Sequence, residues 1–275
     1  MGIHDNEERF HELSRAGSRL RYWLHGVPGA PLVACTHGGI ADHRVFDPQV
    51  SALLAAGYRV LAWEYQHHPT DRPLGPRLTL GEVAADLLAV LDDVGAGQAV
   101  LVGLSFGGMV GQQFLTDHPE RVAALVVVGA PRLSDRPGPV MRVLQRLRMS
   151  VLKAWPERHL REKLLPMMSK DPQVRRYIAE VAGRMPKAVF VAQSQAAIDA
   201  YVSPLDVSSH GVPLLLVQGE REEKGVARSL RTWAVQDPNA RHEVIPDAGH
   251  VVNLEDPEAF NRLLVDFLHT QVPAE

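Results

Sequence analysis

Apolar runs alternate with segments of helical periodicity through most of this sequence. The runs contain few polar residues and predict strands buried on both faces, because a half-exposed strand would alternate polar and apolar positions. They lie at residues 32–36, 58–63, 99–102 and 122–128. The segments between them predict helices at residues 47–57, 79–94 and 106–117. Strands that alternate with helices favour a parallel sheet with right-handed crossovers, so we predict the α/β class.

The sequence before and after these elements predicts further parts of the same sheet. Two β-prone runs at residues 9–13 and 19–24 predict an antiparallel hairpin at one edge. The elements near the other end of the chain are a strand at residues 214–218, a helix at 226–235, a strand at 241–245 and a helix at 257–270.

Residues 132–205 interrupt the alternation of strands and helices. They contain helical segments broken by prolines and no convincing strand. We therefore predict one core domain formed by residues 1–131 and 206–275, into which residues 132–205 are inserted as a helical lid. A lid of this kind makes an enclosed apolar pocket, which favours a small or medium apolar substrate over a polymer.

The first helical segment of the predicted lid, residues 139–155, is amphipathic. Its apolar stripe consists of Val140, Leu144, Leu147, Val151 and Trp155, and basic residues such as Arg142 and Arg146 lie on the opposite face. We expect the stripe to pack on the sheet domain and the charges to lie in water. Attraction of an anionic substrate or a membrane surface by the basic residues is the alternative.

Composition and charge narrow the class of protein. A formal net charge of −3 and a pI near 6.5 give no electrostatic argument for binding nucleic acid. No apolar run approaches the roughly 18 residues of a membrane-spanning helix, and the polar N-terminus does not resemble a signal peptide. Cys35 is the one cysteine, so an internal disulfide is excluded, and its apolar neighbours predict a small buried residue. We expect a soluble cytoplasmic protein, and the oligomeric state stays open.

The sequence Gly103-Leu104-Ser105-Phe106-Gly107 follows a predicted buried strand and precedes a predicted helix. A serine on so sharp a turn needs glycines two positions before and after it, because a Cβ there would crowd the neighbouring chain. The turn lifts Ser105 Oγ above the sheet edge and directs the helix N-terminus at any oxyanion that forms. We interpret Ser105 as a nucleophile; a glycine-rich turn whose serine only caps a helix is the alternative.

A serine nucleophile needs a base, usually a histidine that a carboxylate holds in place. His250 lies between the last predicted strand and the last helix, at the sheet edge where ligands of parallel sheets gather. The carboxylate should follow the preceding strand, where residues 214–235 contain glutamates and no aspartate. We select Glu222, with Glu223 next and Asp135, at the start of the insertion, as the remaining alternative.

Two backbone N–H groups must face the oxyanion of such a reaction. Phe106, the residue after the serine, supplies one, and Gly39, in His37-Gly38-Gly39 after a buried strand, is the natural second. The sequence has no His-Glu-x-x-His pattern, no cysteine pair and no G-x-G-x-x-G that opens a helix. We therefore predict neither a metal nor a cofactor.

Together these residues resemble the α/β-hydrolase superfamily, in its esterase, lactonase and haloperoxidase-like branch. The resemblance covers almost the whole chain and implies the α/β-hydrolase fold with a helical lid. In that family the acid falls three residues after the strand-ending glycine, which points to Glu222. Two departures stand out: a glutamate replaces the usual aspartate, and Glu64-Tyr65-Gln66-His67-His68-Pro69-Thr70 replaces the usual Asp-x-Arg-Gly-x-Gly-x-Ser loop.

The resemblance implies a serine hydrolase that cleaves a carboxylic ester or lactone through an acyl-enzyme. Ser105 argues against haloalkane dehalogenases and epoxide hydrolases, which use an aspartate nucleophile on this fold. A non-hydrolytic biosynthetic enzyme, such as a lyase or cyclase, and a ligand-sensing module remain alternatives, because they carry the same residues. In each case the partner is a small molecule.

Overall fold

One sheet runs through the molecule and carries most of its elements. The computed structural model describes residues 10–16, 18–65, 78–136, 138–159, 169–203 and 205–274. Within them the strands are β1 (His11–Arg15), β2 (Ser18–His25), β3 (Leu32–Thr36), β4 (Arg59–Glu64), β5 (Ala99–Leu104), β6 (Val122–Val128), β7 (Leu214–Gly219) and β8 (Ala240–Ile245). Their order across the sheet is β1-β2-β4-β3-β5-β6-β7-β8. Only the pairs β1–β2 and β2–β4 are antiparallel, so the predicted α/β class is confirmed for the described residues.

Helices cover both faces of this sheet. They are α1 (Asp47–Ala55), α2 (Leu80–Asp93), α3 (Phe106–Asp117), α4 (Pro139–Ala154), α5 (Pro172–Arg184), α6 (Lys187–Val202), α7 (Lys224–Gln236), α8 (Val252–Glu255) and α9 (Pro257–Gln271). Side chains of α2, α3 and α7 pack in a core on one face, and those of α1, α5 and α9 pack in a second core on the other. The buried strands therefore present apolar side chains to both sides, as uninterrupted apolar runs require.

Most predicted elements lie within a few residues of their observed positions. The hairpin forms from β1 and β2, and Cys35 is buried at 1% exposure, where desolvation raises the pKa of its thiol to about 12. A 3₁₀ turn at His43–Phe46 and the short helix α8 were not predicted, because neither has enough residues to show a period. Most of the predicted loop at residues 64–76 lies outside the described residues.

The inserted segment between β6 and β7 contains α4, α5 and α6. Its two ends are joined by hydrogen bonds: the Leu205 N–H donates to the Leu133 carbonyl at 3.0 Å. The Val207 N–H donates to Ser134 Oγ at 2.7 Å, and Arg132 Nη2 donates to the Val207 carbonyl at 2.8 Å. The insertion therefore leaves the sheet and returns to it at one place.

The predicted packing of the α4 stripe on the sheet domain is wrong. The members of the stripe are 38% to 80% exposed: Val140, Leu144, Leu147, Val151 and Trp155. Instead, Met149 and Leu152 are buried and pack against Phe190 and Ile198 of α6. Because α4 rests on another helix and not on the sheet, a narrow ridge of side chains is enough to make the contact. Arg142 and Arg146 are exposed, as predicted.

The turn between β5 and α3 lies so close to β3 that no side chain fits between them. A Cβ on Gly107 would lie 2.0 Å from the Thr36 carbonyl oxygen, and one on Gly103 would lie 2.3 Å from the Gly107 carbonyl oxygen. Both atoms belong to the backbone and cannot rotate away. The glycines of the pentapeptide are therefore required by packing.

We expect Gly107→Ala to lower the free energy of unfolding by about 3 kcal/mol or more, the upper end of the cost of overpacking a core. Gly97→Ala is the matched control, because a Cβ there would meet no atom within 4 Å. The control should change the stability by less than about 0.5 kcal/mol. Urea unfolding followed by circular dichroism measures both values, and equal stability of the two variants would contradict the close packing described above.

Candidate active site

Ser105 lies on the turn that joins β5 to α3. Its backbone has φ 52° and ψ −112°, a conformation that residues with a side chain rarely adopt. The turn is held because the Ser105 N–H donates to the Val128 carbonyl at 2.7 Å, and the Ser105 carbonyl accepts from Gly108 N–H at 2.9 Å. Strained backbone of this kind persists only where the surrounding structure enforces it, and it occurs often at functional sites.

His250 and Glu222 form a close pair on two loops at the same edge of the sheet. Glu222 follows β7 and His250 follows β8, and His250 Nδ1 lies 3.0 and 2.9 Å from the two carboxylate oxygens. A carboxylate only accepts, so Nδ1 carries the shared proton and Nε2 points elsewhere. The Glu222 side chain is 2% exposed, and one of its oxygens also accepts from the Glu223 N–H at 2.8 Å.

Gly129 leaves space for this pair, and Glu255 holds the loop that carries His250. A Cβ on Gly129, at the end of β6, would lie 2.9 Å from Glu222 Oε2 and 3.3 Å from His250 Cε1. The Glu255 carboxylate, with a side chain 3% exposed, accepts from the Gly249 N–H at 2.8 Å. Glu255 therefore fixes the loop that carries His250.

The surroundings raise the pKa of the His250 imidazole above its ordinary value. Burial, the largest single influence, acts in the opposite direction because it disfavours the charged imidazolium. The hydrogen bond to Glu222 and the charge of that carboxylate, with smaller contributions from Glu223 and Glu255, outweigh burial. The pair thus favours the protonated imidazole, the form that results when a base accepts a proton.

The loop after β3 is held by aromatic residues. His37 Nδ1 donates to the Gly38 carbonyl at 2.7 Å, and the Tyr65 hydroxyl donates to the same oxygen at 3.1 Å. The two rings stack with centroids 4.1 Å apart. Because the peptide is trans, the Gly39 N–H points away from the Gly38 carbonyl and its two donors. Ile40, the next residue, has φ 55°, so the chain turns sharply here.

A cavity beside Ser105 and His250 consists of two adjoining chambers, and both of these residues line each chamber. The first, which we call the Gly39 chamber, has a volume of about 630 Å³ and is also lined by Gly39, Gln193 and Arg221. The second, the Met149 chamber, has a volume of about 440 Å³ and lies between α4 and α6. It is lined mainly by apolar side chains: Met149, Leu152, Trp155, Phe190 and Ile198. The inserted helices thus form one wall of both chambers.

The structure brings the predicted site residues together around the Gly39 chamber. Its lining includes all of them: Gly39, Ser105, Phe106, Glu222 and His250. Of the two alternative acids, Glu223 lines the same chamber, but its contact with the pair is the backbone N–H given above. The Asp135 carboxylate accepts a hydrogen bond from the Ser229 hydroxyl, and no hydrogen bond joins it to His250 within the described ranges.

Sequence reasoning missed Tyr65, Gln193 and Glu255 as site residues. The departure from the usual family loop could have drawn attention to Tyr65, which is fully buried. Gln193 carried no sequence signal, because a single polar residue in a helix of the insertion has no fixed spacing from the serine. Glu255 lies in the sequence six residues after Gly249 and contacts it only through the fold.

The described residues were also compared with the requirements of a metal site and of a membrane-spanning helix. No group of three or more His, Cys, Asp or Glu side chains in those ranges has the arrangement to hold a metal ion. No helix in the same ranges combines the length and apolar character needed to cross a lipid bilayer.

The fold and these residues define an α/β hydrolase. The model of the "Alpha/beta hydrolase family" matches residues 32–263, and the chain therefore belongs to that family of enzymes. A protein of Caulobacter vibrioides with the name "Putative carbamate hydrolase RutD" is 32% identical over 264 residues, covering 90% of this chain and 95% of that protein.

Solved structures have the same fold at low sequence identity. A carboxylesterase structure from Nitrososphaera gargenis has a TM-score of 0.81 at 20% identity and covers 94% of this chain and 98% of its own. The enol-lactonase from Burkholderia xenovorans LB400 has a TM-score of 0.73 at 23% identity and covers 94% of this chain and 99% of its own. The likeness to these structures supports the fold.

We expect Glu222→Gln to lower the pKa of His250 below its value in the wild type. Without the carboxylate charge, burial is opposed only weakly, so the neutral imidazole is favoured. Glu223→Gln should lower the same pKa by a smaller amount, and Asp135→Asn should leave it unchanged. An NMR titration of ring-labelled histidine, with His250→Asn to assign the signal, measures all three. A larger shift in Glu223→Gln than in Glu222→Gln would contradict the pairing.

Proposed function

We propose that this α/β hydrolase is a serine hydrolase that cleaves a small or medium carboxylic ester or lactone through an acyl-enzyme. One observation carries the proposal: Ser105, on a strained turn, and His250, paired with the buried Glu222, line the same cavity. In this proposal Ser105 is the nucleophile, His250 the general base and Glu222 the acid that orients it.

Acylation begins when Ser105 Oγ attacks the carbonyl carbon of the substrate. The hydroxyl proton moves to His250 Nε2, which is available because Nδ1 is bonded to Glu222. The imidazolium that forms is stabilised by the Glu222 carboxylate. His250 then returns the proton to the leaving alcohol oxygen as the bond between the carbonyl carbon and that oxygen breaks. In a lactone the alcohol remains part of the acyl group.

The N–H groups of Gly39 and Phe106 stabilise the oxyanion in this mechanism. Phe106 is the first residue of α3, so its N–H has no partner within the helix. The Gly39 N–H is oriented by the fixed Gly38 carbonyl, which His37 and Tyr65 hold. One such donor contributes roughly 10²–10³-fold to kcat in enzymes where it has been removed.

Deacylation repeats the same steps with water as the nucleophile. His250 takes a proton from water as the water oxygen attacks the acyl carbon. It then returns the proton to Ser105 Oγ as the bond between Oγ and the acyl carbon breaks and the carboxylic acid is released. Residues 132–205 act as a lid on the core of residues 1–131 and 206–275. The apolar Met149 chamber between α4 and α6 accommodates the acyl or alcohol part of the substrate.

Carbamate hydrolysis is the second candidate function. It is favoured by the similarity to the Caulobacter vibrioides protein, whose name gives that activity, over 90% of this chain. The same residues would perform it, since a carbamate differs from an ester by a nitrogen on the scissile carbonyl carbon. A carbamate and a carboxylic ester differ in the atom bonded to the carbonyl carbon, so they would contact different groups in the wall of the Gly39 chamber.

We expect Ser105→Ala to fold like the wild type and to lose hydrolysis of p-nitrophenyl acetate and butyrate, because only the attacking oxygen is removed. A fluorophosphonate should label the wild type once and the variant not at all. Release of p-nitrophenolate and intact-protein mass spectrometry measure the two effects. Full activity of Ser105→Ala would refute the proposed function, and an inactive wild type that is still labelled at Ser105 would favour the non-hydrolytic alternatives.

We expect Glu222→Gln to lower kcat by about 10⁴-fold and KM by much less, as loss of the corresponding carboxylate does in a serine protease. Glu223→Gln and Asp135→Asn are the controls and should each change kcat by less than about tenfold. Steady-state kinetics on p-nitrophenyl butyrate give the values. A mild effect of Glu222→Gln beside a severe effect of Glu223→Gln would assign the acid to the neighbouring residue.

A further inference from the structure

Gln193, on the inner face of α6, is buried, and its side chain has no hydrogen-bond partner within the part of the chain that the structure describes. The residue is 3% exposed, and neither Nε2 nor Oε1 finds a protein partner among the described residues. A buried amide that is left unpaired is destabilising, so such groups nearly always have a partner. No described residue takes the hydrogen bonds of this side chain, which is the state of a group that awaits a ligand.

The position of Gln193 connects it to the reaction. It lines the Gly39 chamber together with Ser105 and His250, and its Oε1 lies 3.6 Å from where a Cβ on Gly39 would be. Gln195, on the same helix, provides a contrast. Its Oε1 accepts from Lys153 Nζ and its Nε2 donates to Asp199 Oδ1, each at 2.9 Å. The unpaired amide is thus a feature of the chamber and not of the helix.

We infer that Gln193 is a specificity-determining residue that binds a hydrogen-bond donor on the atom next to the scissile carbonyl carbon. The inference rests on the proposed function, in which the carbonyl oxygen of the substrate lies at the Gly39 N–H. A group as near to Gly39 as Gln193 Oε1 is then placed beside atoms one or two bonds from the carbonyl carbon. Substrates with an N–H on that carbon, as in a carbamate, donate to Gln193 Oε1, whereas a hydrocarbon acyl chain leaves this oxygen unpaired.

Three substrates of equal shape test the inference, because they differ in one atom: p-nitrophenyl N-methylcarbamate (NH), p-nitrophenyl propionate (CH₂) and p-nitrophenyl methyl carbonate (O). The acylation rate is read from the burst of p-nitrophenolate at pH 7, so slow deacylation does not interfere. Gln193→Leu and Gln193→Met remove the amide, and Gln195→Leu is the matched control. The unfolding midpoint of each variant is measured alongside.

We expect Gln193→Leu and Gln193→Met to slow acylation by the carbamate about tenfold or more, the usual effect of losing a hydrogen bond to a buried polar group. Propionate should change less than about threefold, and Gln195→Leu should change none of the three. The unfolding midpoint of Gln193→Leu should equal or exceed that of the wild type, because an unpaired amide is removed.

Four outcomes would overturn the inference. The first is an equal loss for all three substrates, which indicates general positioning. The second is no change for any of them, which indicates that only water binds the amide. The third is a lowered unfolding midpoint in both variants, which indicates a structural partner. The fourth is hydrolysis of p-nitrophenyl acetate and butyrate by a wild type that the N-methylcarbamate does not acylate. Failure of the proposed function is distinguishable, because the wild type would then hydrolyse neither of those two esters.

Discussion

The candidate site depends on the contact between the Ser105 turn and the end of β3, where two backbones meet with no side chain between them. Gly107 lies against the Thr36 carbonyl, and this approach brings the His37-Gly38-Gly39 loop beside the start of α3. A bulkier residue in the turn would move the two loops apart. The strain at Ser105 persists because β5, β6 and α3 hold the turn from three sides, through the Val128 carbonyl and the first N–H groups of the helix.

The second requirement of the site is electrostatic. The Glu222 side chain is almost completely buried, and a carboxylate in that position is stable only when hydrogen-bond donors face it. His250 and the Glu223 N–H provide these donors, while the glycine at position 129 leaves space for both side chains. The pair comes from loops after different strands, so it exists only when β6, β7 and β8 are in register.

The helices of the insertion form part of the cavity wall, and none of the described residues between β6 and β7 belongs to the sheet. Its ends are hydrogen-bonded to each other, and α4 packs on α6 through a narrow apolar contact that leaves much of its own apolar surface exposed. The insertion supplies both kinds of wall: the apolar side chains of the Met149 chamber and the unpaired amide of Gln193. Because a fold by itself does not define a function, the proposed choice of substrate depends on these walls and not on the sheet.

The sequence by itself determined the α/β class, the order of strands and helices, and the positions of Ser105, His250 and Glu222 in their loops. Buried strands can be recognised in a sequence because both of their faces must be apolar. The serine turn can be recognised because packing requires its glycines. Only the tertiary structure decided which face of α4 is buried, that Tyr65 supports the Gly38 carbonyl, and that Gln193 lies at Gly39. These are contacts between segments that are distant in the chain. Their energies depend on what lies opposite each side chain, and the local pattern of apolar and polar residues does not contain that information.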